Sequence, residues 1–140
     1  MQTLRCYTRQ MAAAGTHRIL LVDDEPSILE AIGLYLQGPG VEILNASELE
    51  EAEALIERKN IDLVIADLKL TGVFGLEGFQ LLTFVRETAP QTAVILLTAF
   101  GTPEIEAEAY RRGARYFFHK PVPMDTLAAA VRMIGVPVAP

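Results

Sequence analysis

The stretch "HRILLVDDEP", His17–Pro26, runs four apolar residues, Ile19 to Val22, directly into Asp23, Asp24 and Glu25. An apolar run with no polar alternation reads as a strand covered on both faces. Pro26 suits the first turn of a helix, because its missing N–H is one that a helix start leaves unpaired anyway. The acids therefore stand where a buried strand ends and a helix begins.

The same alternation continues outward from this unit. "RILLV", "VEILN", "LVIA", "AVILLT" and "YFFH" read as strands, and the apolar spacing between them changes to three and four. Ile28, Ile32 and Leu36 line one helix face, Leu49, Ala52 and Ile56 a second, and Leu82 and Val85 a third. Ile105 to Tyr110 forms a fourth helix, and Leu127, Val131 and Ile134 mark a fifth. "QGPG", Gln37–Gly40, stops the first helix before the second strand. Strands alternating with one-sided helices predict a parallel α/β sheet, here (βα)5.

At 140 residues, 51% of them apolar, the chain suits one globular domain with a sizeable core. Its longest apolar run, "AVILLTAF", falls far short of the roughly 20 residues that span a bilayer, so a soluble protein with no membrane partner is expected. A net charge of −6 without a basic block disfavours direct nucleic-acid binding. Cys6 alone makes no internal disulfide, which leaves the cytoplasm as the expected compartment. Residues 1–17 read as a flexible N-terminal extension; Arg5 and Arg9 without an acid leave an organellar leader as the lesser alternative. Residues 18–134 form the domain, and residues 135–140, with "VPVAP", read as a short tail outside any element.

Polar residues collect at the strand ends: Asp23 and Asp24 after the first, Asp67 after the third, Thr98 after the fourth and Lys120 after the fifth. Singly, each is a plausible turn residue, cap or solvated charge. Jointly, crossover helices would bring them to one edge of one sheet, where ligands of open α/β sheets bind.

"ILLVDDEPSILEAI", "IDLVIADLKLTG", "VILLTAFG" and "GARYFFHKPVPMDTL" together resemble the receiver domain of two-component response regulators, over roughly residues 18–134. The resemblance implies a flavodoxin-like three-layer fold with a five-stranded parallel sheet in order 2-1-3-4-5. It implies Mg²⁺ held directly by Asp24, Asp67 and the backbone carbonyl of Lys69, and by Asp23 through water. Asp67 would accept a phosphoryl group from a sensor histidine kinase or a histidine phosphotransfer protein, with Lys120 and Thr98 assisting. Thr98 and Phe117 would form the switch, Tyr116 falling one place too early. A cis bond is expected at Lys120–Pro121. The surface of the fourth helix, fifth strand and fifth helix, with Glu104, Glu106, Glu108, Arg111, Arg112 and Arg115, would then meet a partner or a second copy. The downstream output protein or domain is not readable.

The chain departs from the family pattern beyond Asp67. Thr71 stands where proline is usual, and the loop with Gly72, Gly75 and Gly78 is longer than usual. Lys69 and Phe100 flank the path of a hydrolytic water, which predicts slow self-dephosphorylation. His17 and His119 read as surface or packing residues rather than phosphoryl donors. A Mg²⁺-dependent phosphatase with an aspartyl-phosphate intermediate is the enzyme alternative, for which Asp-x-Asp would be expected where "DLK" stands. A degenerate receiver serving only as an interaction module is the third reading.

Overall fold

The computed structural model describes residues 16–67 and 77–139. Five strands and five helices alternate: β1 (His17–Val22), α1 (Pro26–Tyr35), β2 (Val41–Ala46), α2 (Leu49–Arg58), β3 (Leu63–Asp67), α3 (Glu77–Thr88), β4 (Ala93–Thr98), α4 (Pro103–Arg111), β5 (Tyr116–His119) and α5 (Met124–Ile134). All strand pairs are parallel, and the sheet order is β2-β1-β3-β4-β5.

Side-chain alternation along the strands divides the core between the two sheet faces. Leu20, Val22, Val64, Ala66, Val94, Leu96 and Phe117 belong to the cluster that takes in Ala52 and Ile56 of α2, Leu81, Leu82 and Val85 of α3, and Ala109 of α4. Ile19, Leu21, Leu63, Ile65, Ile95 and Leu97 meet Leu29 and Ile32 of α1 and Leu127 and Val131 of α5. The result is three layers, with every residue of β4 buried. Thr92 just before β4 is buried too, and its hydroxyl donates to the Ile61 carbonyl at 2.7 Å.

Two boundaries differ from the sequence reading. His17, placed in the extension, is the first residue of β1, and its N–H donates to the Gly40 carbonyl at 2.7 Å. Residues 1–15 lie outside the described residues. The tail forms no element, as expected, yet it contributes to the core. Gly135 ends α5 at φ 118°, and the Val136 N–H returns to the Val131 carbonyl. Val136 and Val138 are then buried on the α1/α5 side, and the Ala139 N–H donates to the Gln37 carbonyl at 2.9 Å. Gly38 permits this: a Cβ there would lie 2.6 Å from the Pro137 carbonyl oxygen. The segment has no periodicity because only two of its residues face inward.

Candidate functional site

Val22 of β1 is in register with Ala66 of β3, so Asp23 and Asp67 each follow one residue later on neighbouring strands. Lys120 approaches from the far side of β4. Its N–H donates to the Thr98 carbonyl at 2.7 Å, continuing the β4–β5 ladder by one step, and the bond to Pro121 is cis. The ammonium Nζ donates to Asp67 Oδ2 at 2.9 Å and to Asp23 Oδ2 at 3.2 Å.

Asp23 is a buried carboxylate with both oxygens engaged, since Oδ1 accepts the Glu25 N–H at 2.9 Å. Burying a charge is tolerated when it is paired and hydrogen-bonded in this way. Asp24, next in the chain, is exposed. Partial burial of Lys120 opposes its charge, but the hydrogen bond and charge of Asp67, with those of Asp23, outweigh this and hold its pKa above the ordinary lysine value.

Thr98 is buried at the end of β4, one residue beyond Leu97, the register partner of Asp67. Its hydroxyl accepts the Phe100 N–H at 3.1 Å, while the side chain of Phe100 is exposed. Phe117 is buried on the same sheet face as Leu96, whereas Tyr116 stacks with Phe118 on the opposite face. His119 leaves β5 on the Phe117 side, contacts that ring edge-on and lies 3.7 Å from Glu106. His17 is at the other end of the sheet.

Among the described residues, no three acidic, histidine or cysteine side chains converge as a ready-made metal cage. The available donors at this edge, Asp23, Asp24 and Asp67, are all carboxylate oxygens. That chemistry fits Mg²⁺, a hard cation which keeps several waters and needs only one or two protein carboxylates. Lys69, Thr71, Gly72 and Gly75 lie outside the described residues. Gly78, the last of the loop glycines, is buried within α3.

One expectation for the α4 surface is corrected. Arg112 faces α3, with its guanidinium 4.9 Å from the centre of the Phe79 ring and its Nε 2.6 Å from Glu108 Oε2. Glu108 is also hydrogen-bonded to Arg111, so its carboxyl is held below the usual carboxylate range by the two guanidinium groups. Helical spacing groups Glu108, Arg111 and Arg112 at i, i+3 and i+4, on one face.

The sequence reading missed an open apolar cavity of about 400 Å³ beside the lysine, lined by Ile28, Ala31, Leu97, Pro121, Val122 and Met124. Ile28, a core position by its helical spacing, stands half-buried at the cavity wall, opposite Pro121 and Val122 of the β5–α5 connection. Nothing in the spacing of α1 separates a core edge from a cavity edge.

An open parallel sheet with two carboxylates and a lysine gathered at its carboxyl edge, beside the switch in strand order, is the arrangement of a doubly wound α/β domain. The chain belongs to the response regulator receiver domain family, whose model matches residues 19–132. It is 34% identical over 113 residues to the transcriptional regulatory protein GlrR of Escherichia coli strain K12, a match covering 81% of this chain and 25% of that protein. The chain thus spans about a quarter of the length of the curated relatives it matches. The signal receiver domain of a putative Luxo repressor protein from Vibrio parahaemolyticus superimposes with TM-score 0.77 at 28% identity, over 85% of this chain and 89% of that one. The beryllofluoride-activated NtrC4 receiver domain dimer gives TM-score 0.76 at 27% identity, over 84% and 94%. These relatives favour a signalling receiver over the phosphatase alternative.

Proposed function

We propose that this domain is a phosphorylation-activated switch in which Asp67 accepts a phosphoryl group from a histidine kinase or a histidine phosphotransfer protein in the cytoplasm. The observation that carries the reading is the ammonium of Lys120, 2.9 Å from Asp67 and 3.2 Å from Asp23. A carboxylate oxygen of Asp67 attacks phosphorus as the phosphorus–nitrogen bond of the donor breaks, and the imidazole leaves with the electron pair and takes a proton. Lys120 neutralises charge on the transferring group, and the Thr98 hydroxyl donates to one of its oxygens.

Asp67 with Asp23 and Asp24 would hold Mg²⁺, and Lys69 would add its carbonyl. The ion supplies charge neutralisation at the phosphoryl oxygens. The protein's share is to hold the acids at one sheet edge and to keep Asp23 oriented through the Glu25 N–H. The open cavity beside Lys120 gives the donor an apolar surface next to the acceptor.

The output is binding, not multiple turnover. Phosphorylation adds charge and three acceptor oxygens at Asp67, which Thr98 and Phe117 pass to the α4–β5–α5 surface. The dimeric NtrC4 receiver supports phosphorylation-dependent homodimerisation as one form of that output. The test is intact mass after incubation with acetyl phosphate and Mg²⁺. Wild type should gain one phosphoryl group and lose that ability in chelator, and Asp67→Asn should gain none. Equal labelling of Asp67→Asn would overturn the assignment.

A further inference from the structure

We infer that the cleft between the C-terminal end of α3 and the α4–β5 turn is a binding site for a small carboxylate with a short apolar stem, held by the guanidinium groups of Arg86 and Arg112. The cleft has a volume of about 140 Å³. Val94, near the start of β4, lines it, so it lies at the other end of that strand from Thr98. Its floor is apolar and closed: Leu82, Val85 and Val94 are each buried in the core. Thr92 lines it too, but its hydroxyl hydrogen is committed to the Ile61 carbonyl at 2.7 Å, and Gly113 contributes only backbone. The charged donors of the cleft are therefore the two guanidinium groups. At about 30 Å³ per water the space holds about five waters, room for a small anion but far below the roughly 300 Å³ at which drug-sized ligands begin to fit.

Arg112 is held in place before any ligand arrives. Its guanidinium stands 4.9 Å from the centre of the Phe79 ring, and its Nε donates to Glu108 Oε2 at 2.6 Å, which leaves the two terminal nitrogens outside that hydrogen bond. A guanidinium already fixed on an aromatic face loses less freedom when it binds an anion. Arg86 has no hydrogen-bond or ion-pair partner among the described residues. Glu108 does not neutralise the pair, because Arg111 shares it. With Glu87, next to Arg86, counted as well, Arg86, Arg111 and Arg112 still outnumber the acids at this end of a chain whose net charge is −6. The local sign is opposite to that of the whole molecule, so an anion is drawn here. A carboxylate matches the guanidinium fork, and an apolar stem behind it displaces water from Leu82, Val85 and Val94. An inorganic oxyanion would leave that floor wet.

The experiment titrates the full chain with sodium butyrate at constant ionic strength, following the Arg86 and Arg112 side-chain N–H signals and the Gly113 amide by NMR. The arginine signals are identified by their loss in Arg86→Gln and Arg112→Gln, with far-UV circular dichroism to establish folding. Butyrate should shift all three saturably, with a Kd in the millimolar range set by so small a ligand. Each carbon removed, from butyrate to propionate to acetate, should weaken binding about fourfold. Arg86→Gln should weaken it about tenfold or more, the size of one hydrogen bond to a charged group. Butanamide, of similar shape but uncharged, should leave the signals unmoved. Equal affinity along the acid series, equal shifts with butanamide, or wild-type affinity in Arg86→Gln would overturn the site, as would shifts that never saturate. Should either variant fail to fold, the acid series and butanamide on wild type decide alone. None of these readouts uses a phosphoryl donor, so the result is independent of the phosphoacceptor reading.

Discussion

Asp23 and Lys120, 97 residues apart in the chain, meet as a 3.2 Å ion pair beside Asp67. The lysine ammonium is shared by both carboxylates in this structure, and a metal held by Asp67 and Asp23 would share those carboxylates with it. Replacing Lys120 by Gln leaves Asp23 buried opposite Asp67 without that positive charge, which is costly in a partly desolvated site. Lys120→Gln should therefore unfold at lower temperature than wild type in chelator. Mg²⁺ should raise its midpoint by more than it raises that of wild type. Differential scanning fluorimetry across a Mg²⁺ series checks this, and an equal Mg²⁺ response in both proteins would count against the shared site.

The same pair makes a prediction about alkaline pH. Because the folded-state pKa of Lys120 is raised above 10.5, its contribution to stability is complete below that unfolded value and disappears as pH rises through the folded one. Urea midpoints should therefore show a Lys120-dependent decline only on the alkaline side of 10.5, absent from Lys120→Gln. A Lys120-dependent decline between pH 6 and 8 would contradict it.

Phe100, two residues after Thr98, presents its ring to solvent at 71% exposure beside the site. A bulky apolar side chain at this position would obstruct an attacking water. Phe100→Ala should shorten the lifetime of the Asp67 phosphoryl group several-fold, measured by intact mass after donor removal. An unchanged lifetime would remove Phe100 from the account.

Two glycines should respond in opposite directions to alanine. At Gly33, inside α1, a Cβ would meet Ile43 at 3.7 Å and Leu21 at 3.8 Å, ordinary contacts. Gly33→Ala should stabilise by about 0.5–1 kcal/mol through reduced freedom of the unfolded chain. At Gly38 the added carbon would run into the backbone of Pro137 and Val138, so Gly38→Ala should destabilise. Chemical denaturation of the two variants checks both signs.

The C-terminal strap makes a separate claim. Truncation after Gly135 removes Val136 and Val138 from the core and should cost about 3–6 kcal/mol, given the usual value of a buried valine. Urea unfolding of the truncated chain, with a midpoint equal to wild type, would show that the strap contributes nothing.

The sequence by itself determined the parallel (βα)5 order. Apolar runs such as Ile19–Val22 mark strands covered on both sides, and spacings such as Ala52 and Ile56 mark one-sided helices. It also marked Asp23, Asp67, Thr98 and Lys120, because an acid, hydroxyl or lysine at the end of an apolar strand stands out against its neighbours. Local patterning carries that information since each element buries its own face.

Tertiary structure decided what depends on two distant segments meeting. Asp23 rather than Asp24 is the buried acid on the ammonium, a choice made by the register of β1 against β3. Arg112 sets its guanidinium over the Phe79 ring of α3, a contact between residues 33 positions apart in the chain. Val136 and Val138 become core only because Gly38, nearly a hundred positions earlier, leaves their backbone room. Such contacts depend on differences of a few tenths of an ångström in backbone separation across the fold, and no spacing along the chain encodes those.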